Sequence, residues 1–192
     1  MSRLHAVVQR AAEGRGPEWA VVGPARRRHI ASVAACLDRW ARALGCSATE
    51  RARWRAAGYL HDALRDADPA GFDAGVAPDW PPALRHGPAA AARLRADGVR
   101  DDELLLAVAY HTTGHGEFEA LGRFLYLADY LEPGRAFRPD GRAAWRARLP
   151  EAMPAELREV AASRIGRTLR RGDPLLRETV DFWNRSVSEV GG

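Results

Sequence analysis

Apolar side chains recur at intervals of three and four residues along most of this chain, and that spacing constrains its fold more than any other feature. Ile30, Val33, Leu37, Trp40 and Leu44 fall on one face of a helix, and Gly45 follows as a stop. Ser47 with Glu50 three residues later has the pattern of a capping box, and behind it Trp54, Ala57 and His61 share a face. The stretch from Asp66 to Pro82 is rich in Asp, Gly and Pro, which predicts a loop or a short irregular insertion. Pro88 stands where a first helical position is expected, and Gly98 closes that helix. Asp101 or Asp102 can cap the next, which carries Leu104, Leu105, Val108 and His111 before Gly114. Phe118, Leu121, Leu125 and Ala128 line another face, ended by Pro133. Two more helices are expected, at about Pro154 to Arg171 and Asp173 to Val190. With no alternating strand pattern and no internal repeat, the expected fold is an all-α bundle with two C-terminal helices. It occupies residues 24–192 and follows an N-terminal segment, 1–23.

The 192 residues suffice for one domain with a core that needs no staples. With 46% hydrophobic and 28% charged residues, the composition is that of a globular protein and not of a disordered one. Two cysteines, Cys36 and Cys46, exclude a disulfide scaffold and a cysteine-rich zinc module. The apolar runs fall far short of the ~20 residues of a membrane span, and no continuous apolar core marks a signal peptide. A soluble cytoplasmic protein that does not engage membranes is therefore expected. All 29 basic residues are Arg, and the net charge is +4. Such a balance fits a nucleic acid or a phosphate-rich small molecule as partner, or simply a surface that uses one basic residue type. The Arg26–Arg28 cluster reads equally well as a solvated first turn.

Six histidines carry more information. His5 lies near the terminus, whereas His29, His61, His86, His111 and His115 fall on or beside the predicted helices. Asp62 is adjacent to His61, and Asp129 interrupts the apolar run Leu125 to Leu131. Burying that carboxylate unpaired would cost several kcal/mol or force its protonation, so it needs a cation. Each residue taken alone reads as a core histidine, a helix cap or a salt-bridge partner. Taken together, four histidines and two aspartates come from different helices or helix ends, except the adjacent His61–Asp62 pair. Imidazoles and carboxylates in one cavity suit divalent transition metals. A carboxylate can bridge two of them, and two metals about 3.5–4 Å apart can activate a water and clamp a phosphoryl oxygen. That is the chemistry of phosphate ester or anhydride hydrolysis. Other chemistries lack their residues. A phosphate-binding loop ending in Gly-Lys is impossible without Lys, and no Gly-x-Ser-x-Gly occurs. The two cysteines lack a paired spacing, and Cys36 reads as helix core.

The ordered series His29, His61-Asp62, His86, His111, Asp129 resembles the HD superfamily of metal-dependent phosphohydrolases. The strings AGYLHDALR (57–65), LRHGPAAA (84–91), YHTTG (110–114) and LYLADYLEPGRAF (125–137) are similar to the bacterial HD-domain family of symmetrical diadenosine-tetraphosphate hydrolases. The likeness runs from about Pro24 to Val190 and implies a single HD-domain helical bundle. It implies that His29, His61, Asp62 and Asp129 hold a first metal, and that His86 and His111 with the shared Asp62 hold a second. The family is associated with a di-iron centre, although the ligand types also accept manganese or other divalent ions. Where other HD phosphodiesterases carry a His-His pair, this chain has His111-Thr112. The resemblance implies Asp62 and Arg65 as catalytic residues, with Arg65, Thr112, His115 and Arg135 contacting substrate. Arg65 stands at i+4 from His61, on the same face, and a guanidinium such as that of Arg135 binds phosphate in bidentate fashion. The helix end at Gly87-Pro88 can aim N–H groups at an anion. The implied reaction is symmetrical hydrolysis of diadenosine tetraphosphate to two ADP, by in-line attack of a metal-bridging hydroxide. The implied partner is a small nucleotide and not a nucleic acid. Helical domains of this size often dimerise, so a homodimer is compatible with the sequence, which does not itself specify an oligomeric state. The alternatives are an HD nucleotidase, a guanosine-tetraphosphate hydrolase, or a catalytically silent nucleotide-binding module.

Overall fold

The computed structural model describes residues 4–134 and 139–188. Among them it contains nine α-helices and no strand: α1 (Ala6–Ala12), α2 (Pro24–Ala43), α3 (Ala48–Leu60), α4 (His86–Ala96), α5 (Asp102–Tyr110), α6 (Ala120–Leu131), α7 (Pro139–Ala147), α8 (Met153–Arg170) and α9 (Arg177–Ser188). The 66–82 stretch is irregular, as its composition predicts, and holds a single 3-10 turn at Pro69–Gly71; a second follows at Pro82–Leu84. No helix among the described residues is long and apolar enough to cross a membrane.

The centre of the bundle is α6. Its residues from Phe124 to Leu131 are all buried, which is the pattern of a helix packed on every side. Helices α2, α3, α5, α7 and α8 surround it. Phe124 meets Trp40 of α2 and Trp54 of α3, with ring centroids 5.8 and 5.1 Å away. Consequently Asp129, on this helix, is buried as well. Two glycines let neighbouring helices close in near the future ligands. A Cβ on Gly58 of α3 would stand 2.6 Å from Ala34 Cα of α2. One on Gly87 of α4 would stand 2.5 Å from Ala109 O of α5.

The predicted caps form in part. Ser47 Oγ accepts from the Glu50 amide at 3.2 Å, while the Glu50 carboxylate pairs with Arg53. Asp101, not Asp102, caps α5. The boundaries differ in four places. Helix α4 starts at His86, because the 3-10 turn at Pro82–Leu84 runs into it through a helical Arg85. Pro88 is tolerated there because the first amides of a helix have no intrahelical acceptor. Leu44 is not on the core face: α2 ends at Ala43, and Leu44 is 48% exposed at the cap. Phe118 precedes α6, although it is buried against Phe182. Helix α9 begins at Arg177, where Leu176 O receives the first helical bonds. The spacing also missed α1 and α7, each under three turns long. Helix α1 nevertheless buries Val7, Val8, Ala11 and Ala12 in the same core.

Candidate metal centre

Four helix ends and the last turn of the buried helix α6 converge on one point. The first turns of α2 bring Arg26 and His29. His61 and Asp62 follow the last turn of α3, His86 opens α4 and His111 ends α5. Asp129 comes from α6, with Glu132 just beyond its end. His61, Asp62, His86, His111 and Asp129 are buried, and the His29 side chain is 10% exposed.

Asp62 lies between two pairs of histidines. Its Oδ1 is 3.1 Å from His86 Nε2 and 3.3 Å from His111 Nε2. Its Oδ2 is 3.6 Å from His29 Nε2 and 3.5 Å from His61 Nε2. Asp129 Oδ1 closes the second group, 3.1 Å from His29 Nε2 and 4.0 Å from His61 Nε2. Both groups, His29–His61–Asp62 and Asp62–His86–His111, have the composition and closeness to hold a metal ion.

The other ring nitrogens decide whether a cation fits. His61, His86 and His111 each turn Nδ1 toward the carbonyl three residues earlier: Gly58 O at 2.7 Å, Ala83 O at 3.0 Å and Val108 O at 2.8 Å. A carbonyl only accepts, so Nδ1 carries the proton and the neutral ring presents a lone pair at Nε2. His29 is arranged alike, with Glu132 Oε1 3.3 Å from its Nδ1. Burial favours the neutral form, pushing the pKa of His61 down to about 3 and lowering that of His86. Lone pairs therefore face one another, His86 to His111 across 3.2 Å and His29 to His61 across 3.4 Å. Two acceptors at that distance repel unless a cation lies between or beside them, so the donor set fits divalent metals.

Asp62 and Glu132 stay ionised. Burial works against the Asp62 anion, yet its pKa lies well below the ordinary carboxylate value, and Arg26 Nη1 donates to its Oδ2 at 2.6 Å. Burial likewise opposes ionised Glu132, but bonds from His29, the Gly134 amide and Ser32 bring it down to about 2. A cation for buried Asp129 is supplied by Arg164 of α8, whose Nη2 donates to Oδ2 at 2.8 Å.

Above the ligands is a cavity of about 280 Å³, lined by Arg26, Arg65, Arg164, Arg167 and Arg171 as well as Thr112. Thus the structure brings His29, His61, Asp62, His86, His111 and Asp129 together and sets Arg65 and Thr112 on the cavity wall. It does not bring His115 there. That ring packs on Tyr110 at 4.5 Å, accepts the Glu117 amide and borders Phe118 and Phe182 instead. Arg135 lies outside the described residues.

Sequence reasoning missed Arg26, Glu132 and the arginines of α8. Arg26 is one turn before His29 and reaches Asp62 Oδ2 at 2.6 Å. Glu132 is one turn after Asp129. Both show an i, i+3 relation to a candidate ligand, a signal available in the sequence.

Comparison with known proteins decides the family. Residues 26–134, which span all six candidate ligands, match the family model of the HD domain. The chain belongs to the HD-domain family. Among curated proteins, two named "Bis(5'-nucleosyl)-tetraphosphatase, symmetrical" are similar to it. The one from Staphylococcus aureus is 43% identical over 53 residues, covering 27% of each chain. The one from Halalkalibacterium halodurans is 28% identical over 107 residues, covering 55% of this chain and 56% of that one. These matches span less than two thirds of the relatives' length. A crystal structure of a predicted HD superfamily hydrolase involved in NAD metabolism, from Clostridium acetobutylicum, is similar over more of the chain. It matches with a TM-score of 0.75 at 27% identity, covering 88% of this chain and 92% of that one. The bundle is thus an HD-domain hydrolase, with a His/Asp cluster suited to divalent metals where its helix ends meet.

Proposed function

We propose that this HD-domain hydrolase is a cytoplasmic enzyme that cleaves a dinucleoside polyphosphate, with diadenosine tetraphosphate going symmetrically to two ADP. The observation that carries the reading is Asp62. Its two oxygens face two different histidine pairs, beneath a wall of five arginines. His29, His61, Asp62 and Asp129 would hold one ion, and Asp62, His86 and His111 the other. Iron is the proposed occupant, and manganese suits the same donors. Two such ions would supply the Lewis acidity that lowers a water's pKa and stabilises charge on phosphoryl oxygens. Asp62 fixes the spacing of the two groups. Arg26 and Arg65 stand beside Asp62 and His86, where they offset phosphate charge at the reacting end. Five guanidiniums against the carboxylates of Asp62 and Asp129 leave the cavity cationic even without metal, which suits a substrate with several phosphates.

A substrate panel tests this. The metal-loaded full chain is incubated with diadenosine tetraphosphate, guanosine tetraphosphate, a nucleoside 5'-monophosphate and NAD, and the products are identified by chromatography. ADP as the sole product from the first supports the reading. ATP with AMP, or turnover confined to the other substrates, overturns it, and binding without turnover points to a silent nucleotide-binding module. NAD is included because the solved neighbour's stated link to NAD metabolism favours a second reading, hydrolysis of another dinucleotide. Asp62→Ala should abolish metal loading and activity together, and an active, metal-loaded variant would overturn the role given to Asp62.

A further inference from the structure

The C-terminal turns of α8 form a stretch of cavity wall that meets the ligand cluster only at its first arginine, Arg164. Arg164, Arg167 and Arg171 stand at i, i+3 and i+7, so they form one stripe along the helix. All three line the cavity, whereas the neighbouring Arg170 does not. Cations at a helix C-terminus also stabilise the helix through its dipole. That effect is indifferent to which side they occupy, so it leaves the alignment of this stripe with the cavity unexplained.

Position along the helix separates their tasks. Arg164 is largely buried and is engaged by Asp129 and by the carbonyls of Thr112 and Tyr126. Arg167 and Arg171 are exposed and lie about one and two turns further on, roughly 5 and 10 Å from Arg164 along the axis. Arg171 pairs with Asp173 at 3.0 Å, but both side chains are more than half exposed. Such a pair is weak enough for a phosphate to displace. Arg26 and Arg65 come from other elements, the start of α2 and the turn after α3, next to Asp62 and His86. The ligand cluster is therefore flanked by two cationic arms of separate origin, where a single phosphoryl group needs only one.

We propose that Arg167 and Arg171 bind the second diphosphate arm of a linear polyphosphate, so that the bond between the two arms lies over the ligand cluster and the pair sets the chain length accepted. This rests on the reading of the substrate as a dinucleoside polyphosphate. Guanidinium suits the role because it donates in bidentate fashion to phosphate oxygens.

The test uses the full chain in excess manganese, titrated calorimetrically with inorganic tripolyphosphate and, separately, with orthophosphate. In the Arg167→Ala/Arg171→Ala variant, tripolyphosphate affinity should fall about 100-fold, roughly tenfold per charge-assisted contact. Orthophosphate affinity should stay within about twofold of wild type. The Arg167→Lys/Arg171→Lys variant should recover part of the loss. Unchanged tripolyphosphate affinity overturns the proposal. So does an equal loss for both probes, since the arginines would then support the whole centre and not one arm. A wild-type chain that binds tripolyphosphate through these arginines yet leaves diadenosine tetraphosphate intact supports the arm and overturns the substrate.

Discussion

Arg164 holds one oxygen of Asp129 and leaves the other to the ligand cluster: Nη2 donates to Oδ2 at 2.8 Å, while Oδ1 lies 3.1 Å from His29 Nε2. The same guanidinium bonds Thr112 O and Tyr126 O, each at 3.1 Å, and its carbon lies 4.3 Å from the Tyr126 ring centroid. It therefore ties α8 to α6 and to the turn after His111. Replacing Arg164 by Ala removes the guanidinium that holds Asp129 Oδ2 in a buried site. Losing one partner of a buried pair costs about 3 kcal/mol, which for a chain of this length lowers Tm by roughly 6–12 °C. Arg164→Lys should recover little, because a single ammonium cannot reproduce the fork. Thermal melts of the metal-free proteins check this, and an Arg164→Ala melt matching wild type would contradict it.

Glu132 orients His29 from behind. Its Oε1 lies 3.3 Å from His29 Nδ1, and its Oε2 accepts the Gly134 amide at 2.7 Å, so its position is fixed from two sides. Partners of this kind fix the ring tautomer, and their removal typically weakens metal binding 10–100-fold. Glu132→Ala should therefore weaken one of two metal-binding steps by about that factor and spare the step assigned to His86 and His111. Competition with a chelator of known affinity resolves the two steps. Equal weakening of both, or of neither, would count against the pairing of Glu132 with His29.

Most of the helices and all six clustered His and Asp residues are legible in the sequence, because each depends on local spacing. His61 and Asp62 follow an apolar helix, and Asp129 interrupts another, so chemistry and periodicity conflict visibly at those positions. The arginines are different. All the basic residues are Arg, so Arg164 has no local mark that separates it from Arg158 or Arg170, and only the packing of α8 against α6 shows which one meets Asp129. His115 misled for the related reason that neighbours in sequence to His111 need not share its cavity. Past the turn at Gly114 the chain changes direction, and the His115 ring lands on Tyr110. The Nδ1 bonds to carbonyls three residues earlier depend on backbone geometry at the helix ends, which periodicity does not report.

Gly87 sets how closely α4 approaches α5. A Cβ there would stand 2.5 Å from Ala109 O and 3.0 Å from Val108 O, the carbonyl that orients His111. Those are backbone atoms, so the helices themselves must separate. Gly87→Ala should cost about 1–3 kcal/mol by overpacking, and it should also move His86 away from His111. Urea unfolding measures the first effect, and metal stoichiometry the second. A variant with wild-type stability and two metals bound would show that the two helices can separate without disturbing the pair.

The metal-free protein should lose stability as pH falls from about 6.5. The His61 pKa is about 3 in the folded chain, chiefly through burial, against 6.5 for an ordinary histidine, and that of His86 is lowered too. Between those values the unfolded chain binds more protons than the folded one, so unfolding free energy rises with pH across that window. The stabilisation is fully present above pH 6.5 and is lost as pH falls toward 3. Asp62 also has a depressed pKa, which acts in the same direction, but only below the ordinary carboxylate value near 3.8, outside the range from pH 7.5 to 5. Bound metal adds to the dependence in the same direction, since protons compete for Nε2. Chemical denaturation of the metal-free chain at pH 7.5, 6 and 5 should show a progressive fall in midpoint, and a flat or rising profile over that range would show that these imidazoles are not held neutral.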